Sequence, residues 1–195
     1  EKDNKSLNQS DFFELNNLND KIDFIKARAE ADSIALKKKF SNNEIYKKNL
    51  PNNYSSKSLY LIAEKIRYET LGAKMLKGIE KNLKENYTQE IYLKKNEQLK
   101  TKEDVPVNEA FELYMLKKFH NIKLNSMTSN MLDFWEKDFD QAIEKHIKFL
   151  KENLEFQDKY SAKFSEILKN MEIFQSEQNE ESNNENQDNQ SNDQS

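Results

Sequence analysis

The stretch Ser58–Tyr87, SLYLIAEKIRYETLGAKMLKGIEKNLKENY, decides the fold. Leu59, Ile62, Ala63, Ile66, Thr70 and Ala73 recur at three- and four-residue steps and form one apolar side of a helix. Leu61, Tyr68, Met75, Ile79 and Leu83 form a second stripe on nearly the opposite side. A helix apolar on two sides is packed on two sides, so this element is expected at the centre of a bundle. Gly72 falls on the second stripe, where a missing side chain lets a neighbouring helix come close; Gly78 is expected to mark a kink or break. Each glycine costs roughly 1 kcal/mol against alanine in a helix interior, so a packing reason is expected for keeping it.

Working outward, Ile22, Ile25, Ala29, Leu36 and Phe40 line one face of a helix that is expected to start after the cap candidates Asn19 and Asp20. Arg28 and Asp32 lie one turn apart at the edge of that face and can pair. A short turn through Ile45 to Leu50 ends at Pro51, and Ser55, Ser56 or Ser58 can cap the central helix. Downstream, Pro106 sits in the first turn of a helix burying Val107, Ala110, Phe111 and Tyr114. Met131, Phe134 and Trp135 open another that continues through Phe139, Ile143 and Leu150, with a break expected near Asp138. Tyr160, Phe164, Ile167, Met171 and Phe174 define the last.

Composition agrees. Among 195 residues there are two glycines and two prolines, too few for the turns of a many-stranded sheet, so the fold class is all-α, an irregular multi-helix bundle. From Gln175 to Ser195 there is no apolar residue and no base, with six acids and eleven Asn or Gln, a segment that cannot offset its ordering entropy by burial. It is expected to be a disordered acidic linker. Without it, 31 bases face 29 acids and the charge changes from −4 to +2, so the folded part is nearly neutral. The expected organisation is a flexible lead over 1–19, a helical domain over 20–174 and the linker over 175–195. The chain opens at Glu1 rather than Met and is expected to be an excerpt of a longer protein.

Neither nucleic acid nor an anionic membrane is indicated by so balanced a charge. The absence of cysteine removes disulfides and zinc-thiolate sites and fits a reducing, cytoplasmic setting. No glycine-rich phosphate loop can be built from two glycines, and His120 and His146 stand alone, each expected at a surface or helix end. Glu109, Glu112, Asp133, Glu136, Asp138 and Asp140 are expected to be solvated faces of a chain that is 34% charged. Lys37 to Lys39 and Lys117 to Lys118 are expected at helix ends, where cations complement the macrodipole. No catalytic, cofactor-binding or metal-binding residue is assigned. Only Arg28 and Arg67 interrupt a lysine-rich set of bases, as if held by a planar geometry that lysine cannot supply.

Three segments carry a resemblance. Arg28–Leu36, RAEADSIAL, resembles the R-G-E-A-D-x-x-A-L stretch of the CobT family. Ile66–Leu83, IRYETLGAKMLKGIEKNL, resembles its A-R-x-E-x-x-G-A-x-x-x-x-G-V-x-x-N-L stretch and is the most specific of the three. Pro106–Phe119, PVNEAFELYMLKKF, with Met131–Trp135, MLDFW, resembles P-L-x-E-A-L-x-x-L and L-D-L-W. The matching residues include Arg28, Glu30, Asp32, Arg67, Glu69, Gly72, Gly78, Asn82 and Trp135, expected to serve structure or partner binding. The resemblance covers about Arg28 to Trp135, with compatible helices to Phe174; nothing before Asp20 resembles the family N-terminus.

The resemblance implies a subunit of aerobic cobaltochelatase, working with an AAA-type ATPase ring and a large chelatase subunit to insert cobalt into a corrin ring. Family members continue through an acidic linker into a von Willebrand-type domain with a metal-ion-dependent adhesion motif, which is missing here. Cobalt, ATP and magnesium would be handled by the partner subunits, with this chain an adaptor in a hetero-oligomer. The alternatives are a helical adaptor of a related AAA-ATPase and adhesion-domain chaperone of another metalloprotein, or a stand-alone helical scaffold.

Overall fold

The computed structural model describes residues 21–94 and 99–171. The expected lead over 1–19, its caps Asn19 and Asp20, the linker over 175–195 and Phe174 lie outside the described residues. Among the described residues the regular structure is all helical. The helices are α1 (Lys21–Phe40), α2 (Asn43–Lys48), α3 (Tyr54–Met75), α4 (Lys77–Leu93), α5 (Val107–Met115), α6 (Ser126–Asp133), α7 (Glu136–Ile143), α8 (Ile147–Glu152) and α9 (Gln157–Lys169).

α3 is the central element, touching α1, α4, α5 and α9. Its start is fixed by Asn53 rather than by a serine: the Asn53 side chain accepts from the Ser56 amide at 2.9 Å. The stripe Leu59, Ala63, Ile66 and Thr70 is buried, as its period requires. The second stripe is covered only in part. α1 lies across Tyr68 and Gly72, whereas Leu61 and Met75 are each 57% exposed. At Gly72 a Cβ would stand 2.3 Å and 2.5 Å from the two methyls of Leu36, so the close approach of α1 depends on the missing side chain.

The expected single helix over 58–87 is two. Leu76 is extended (φ −134°, ψ 114°) and α4 begins at the next residue. The interruption is small in hydrogen bonds: the Leu76 amide still reaches Gly72 O at 2.9 Å, and the Glu80 amide reaches Leu76 O at 3.1 Å. One extended residue turns α4 back along both α3 and α1. Gly78 stands two residues past the break, with open space around it.

The opposite side of α3 holds the aromatic core. Phe111 of α5 meets Phe139 of α7 edge-on at 5.4 Å and Phe164 of α9 at 5.9 Å, and all three are fully buried. α5 runs into a π turn over Leu116–His120. That turn closes at Asn121, whose left-handed φ of 53° lets the Ile122 amide bond Leu116 O at 3.3 Å. The segment from Met131 to Leu150 breaks at Phe134 and Trp135, and again at the 3-10 turn Glu144–His146, rather than near Asp138.

Candidate functional site

The polar residues of α3 point inward on two sides, with Glu64, Arg67 and Glu69 all buried. On one side is Arg67, which α3 holds wholly out of solvent. Its Nε donates to Glu64 Oε2 at 3.2 Å, one terminal nitrogen to Leu154 O at 3.1 Å, and the other to Phe40 O at 2.8 Å and Ser41 Oγ at 3.3 Å. The planar fork therefore reads three separate pieces of chain, a task for which one ammonium lacks the spread of donors. Glu64 is equally saturated: besides Arg67 it accepts from Gln157 Nε2 at 3.0 Å and Ser161 Oγ at 2.7 Å. Gln157 in turn accepts from the Asn42 amide at 2.6 Å, and Tyr160 Oη donates to Ala63 O at 3.0 Å. This pair is thus a junction of α1, α2, α3 and α9 inside the core.

On the other side Glu69 accepts from Ser33 Oγ at 2.6 Å and from Tyr87 Oη. Burial raises its carboxyl pKa above the ordinary value, partly countered by the nearby Lys65 and by these donors. Lys65 pairs with Glu112 at 3.2 Å and lies 5.3 Å from the centre of the Tyr87 ring. His120, expected at a surface or helix end, is 6% exposed. The π turn carries it onto Thr70, with Nε2 and Oγ1 3.3 Å apart, and beside Tyr87. Thr70 gives its own proton to Ile66 O at 2.6 Å, so the tautomer protonated at Nε2 satisfies the contact. Burial, and then Lys84 and Lys65, lower the His120 pKa to about 4. His146 lies partly exposed in the turn before α8.

The remaining motif residues join elements rather than converge on one cleft. Asn82 donates to Asp32 at 2.7 Å, tying α4 to α1. Glu30 pairs with Lys26 at 3.8 Å. The expected pairing of Arg28 with Asp32 is not made: Asp32 is turned towards α4, and the guanidinium stands 5.4 Å from the centre of the Phe24 ring. Trp135 donates to Val105 O at 3.0 Å and carries the Lys102 ammonium 4.2 Å from its ring centre.

Most of the acids expected on solvated faces bind across elements: Glu136 meets Lys117 and Asp138 meets Lys102, each at 2.7 Å, Asp140 meets Lys118 at 3.4 Å, and Glu109 meets Lys94. No cluster of His, Asp and Glu among the described residues has the arrangement of a metal site. No helix among them is long and apolar enough to cross a membrane.

The outer side of the α1–α3 contact is an open groove of about 490 Å³. Ile34, Leu61, Tyr68 and Tyr46 line it together with Lys37 and Lys38. Leu61 is exposed, as are Tyr54 seven residues before it and Met75 fourteen residues after it on α3, while Tyr68, between Leu61 and Met75 on the same line, is buried. Sequence periodicity placed Leu61 and Met75 inside, so this outward face emerges only once α1 is seen to cover part of the second stripe.

No solved structure matches the chain. A family model does match, and it begins upstream of Asp20, where no likeness was expected. The residues it spans, 8–195, are those of the family described as cobalamin biosynthesis protein CobT, and the chain belongs to that family.

Proposed function

We propose that this chain is the non-catalytic adaptor region of a cobaltochelatase, helping an AAA-type ATPase ring drive ATP-dependent insertion of cobalt into a corrin ring on a large chelatase subunit. Membership of a cobalamin biosynthesis family supports the pathway. The observation that carries the adaptor role is the direction of the buried polar chemistry. Glu64, Arg67 and Glu69 are bonded to other helices of the same chain, so their free energy goes into shape rather than into holding a reacting group. In this reading cobalt, ATP and magnesium belong to the partners, and the assembly works in the cytoplasm.

The docking face in this reading is the groove on the outer side of α1 and α3, with Ile34 and Leu61 as its apolar lining and Tyr54 and Met75 beyond. An adaptor contact takes on the order of 800 Å² per partner, and an exposed apolar line of this kind is where such a contact finds its dry centre. Co-purification with the ATPase, with and without nucleotide, is the test, using the chain and its Ile34→Asp/Leu61→Asp variant. Binding weakened tenfold or more in a variant that keeps its helicity supports this face. ATP turnover by the chain alone would overturn the adaptor role, and undiminished binding by the variant would move the contact elsewhere.

A further inference from the structure

The groove on the outer side of α1 and α3 is two helical turns long on either wall. Its lining runs from Ile34 to Ser41 on α1 and from Leu61 to Tyr68 on α3, seven residues each, or about 10 Å along a helix axis. Ile34 and Leu61 give it exposed apolar surface. A groove of this length between two helices suits the apolar face of a third.

Charge narrows the kind of helix. Between Ser33 and Ala63 the chain has six lysines and one acid, Glu44. Four of these lysines border the groove: Lys37 and Lys38 line it, Lys47 stands one turn after Asn43, and Lys57 stands one turn before Leu61, both of which line it. All four are exposed, and none meets a carboxylate among the described residues. Other lysines at helix seams are met by acids, as Lys65 is by Glu112, Lys102 by Asp138 and Lys117 by Glu136. Glu64 also lines the groove, but it is buried and its oxygens are taken up by Arg67, Gln157 and Ser161. Glu44 lies in the first turn of α2, where its charge complements the helix dipole. The border is therefore a set of cations that the chain itself does not neutralise. Ile34 and Leu61 have no counterpart in a phosphate backbone, so the chemistry favours protein over nucleic acid.

We propose that this groove takes an acidic amphipathic helix of a partner protein, with apolar side chains on Ile34 and Leu61 and carboxylates at Lys37, Lys38, Lys47 and Lys57. The proposal rests on the reading of this groove as the docking face and adds the chemistry of what docks there.

Amide spectra of the labelled full chain, titrated with two synthetic helical peptides, test it. Both peptides carry leucines at helical spacing, flanked in one by glutamate and in the other by glutamine. The glutamate peptide should shift the amides of Ile34, Lys37, Lys38 and Leu61 and bind about tenfold or more tightly than the glutamine peptide. Lys37→Gln/Lys38→Gln/Lys47→Gln/Lys57→Gln should remove that preference and keep the helicity of the chain. Equal binding of the two peptides, or no shift at these amides at about 1 mM glutamate peptide, would overturn the proposal. An oligothymidylate that binds the same amides as tightly would overturn it and assign the groove to nucleic acid. Binding of the glutamate peptide only after deletion of 175–195 would also overturn it, and assign the groove to the chain's own acidic segment. The ATPase scores the docking reading separately. Co-purification weakened by Ile34→Ala/Leu61→Ala but untouched by the four glutamines overturns the proposed chemistry and keeps the docking face. Co-purification untouched by both variants moves the ATPase elsewhere, while the peptide preference still decides the chemistry of the groove.

Discussion

Leu36 of α1 occupies the space that a side chain at Gly72 of α3 would need: a Cβ built there lies 2.3 Å and 2.5 Å from its methyls and 2.9 Å from its Cγ. Leu36 is itself buried, so it has little room to swing aside. Gly72→Ala should therefore lower stability by about 1–3 kcal/mol, overpacking outweighing the gain in helix propensity. Gly78→Ala meets nothing within 4 Å and should raise stability by about 0.4–1 kcal/mol. Urea midpoints of the two variants should move in opposite directions.

The two arginines should separate just as clearly. Arg67→Lys leaves a single ammonium to serve Glu64, Leu154 O, Phe40 O and Ser41 where three nitrogens did so, the first two contacts buried and the other two part-buried. A loss of about 3 kcal/mol is expected, from a buried carboxylate and two carbonyls left short of donors. Arg28→Lys keeps a cation near Phe24 on an exposed face and should cost under about 1 kcal/mol. Equal thermal shifts for the pair would show that the fork geometry of Arg67 is not what holds the junction.

His120 should set an acid limit to stability. Its folded pKa of about 4 lies below the ordinary 6.5, so between those values the unfolded chain binds more protons and stability rises with pH. The contribution is fully present above pH 6.5 and lost by pH 4, an effect on the order of 3 kcal/mol. Glu69 acts with the opposite sign: its pKa is raised by burial, so its share falls as pH climbs above 4.5. Chemical denaturation at pH 7 and pH 4.5 checks this, and His120→Gln, which keeps a donor for Thr70, should flatten the difference.

Trp135 should report the docking of the turn before α5. Trp135→Phe loses the bond to Val105 O and weakens the Lys102 contact, so a cost of about 1–2 kcal/mol is expected. Lys102→Ala should shift the tryptophan emission of the folded chain while leaving its helicity unchanged.

Much of the bundle was legible from periodicity, because buried faces repeat at helical spacing whatever their neighbours: the stripe of Leu59, Ala63, Ile66 and Thr70 is inside, and Gly72 receives α1. The break at Leu76 was legible only as the kink or break expected at Gly78, two residues beyond it. No proline or cap residue accompanies it, and the bonds on either side persist, so the apolar period runs on through a change of direction. His120 was unreadable for a related reason. A π turn shifts the face on which a side chain falls, and the left-handed Asn121 that closes it is decided by what packs around it. The depth of Arg67 was not readable either, since its acceptors at Phe40 and Leu154 are remote in sequence.

That remoteness bears on how the protein is made. Phe40 O and Ser41 leave the ribosome before Arg67, but Leu154 O follows it by 87 residues, and the Gln157 and Ser161 donors to Glu64 later still. A nascent chain that stops short of α9 holds a guanidinium and a carboxylate that cannot go dry without losing water they have no means to replace. The helices of α1 to α4 can form early, but their inner seam stays wet until α9 is supplied, so the junction closes only once the chain has been made through Ser161.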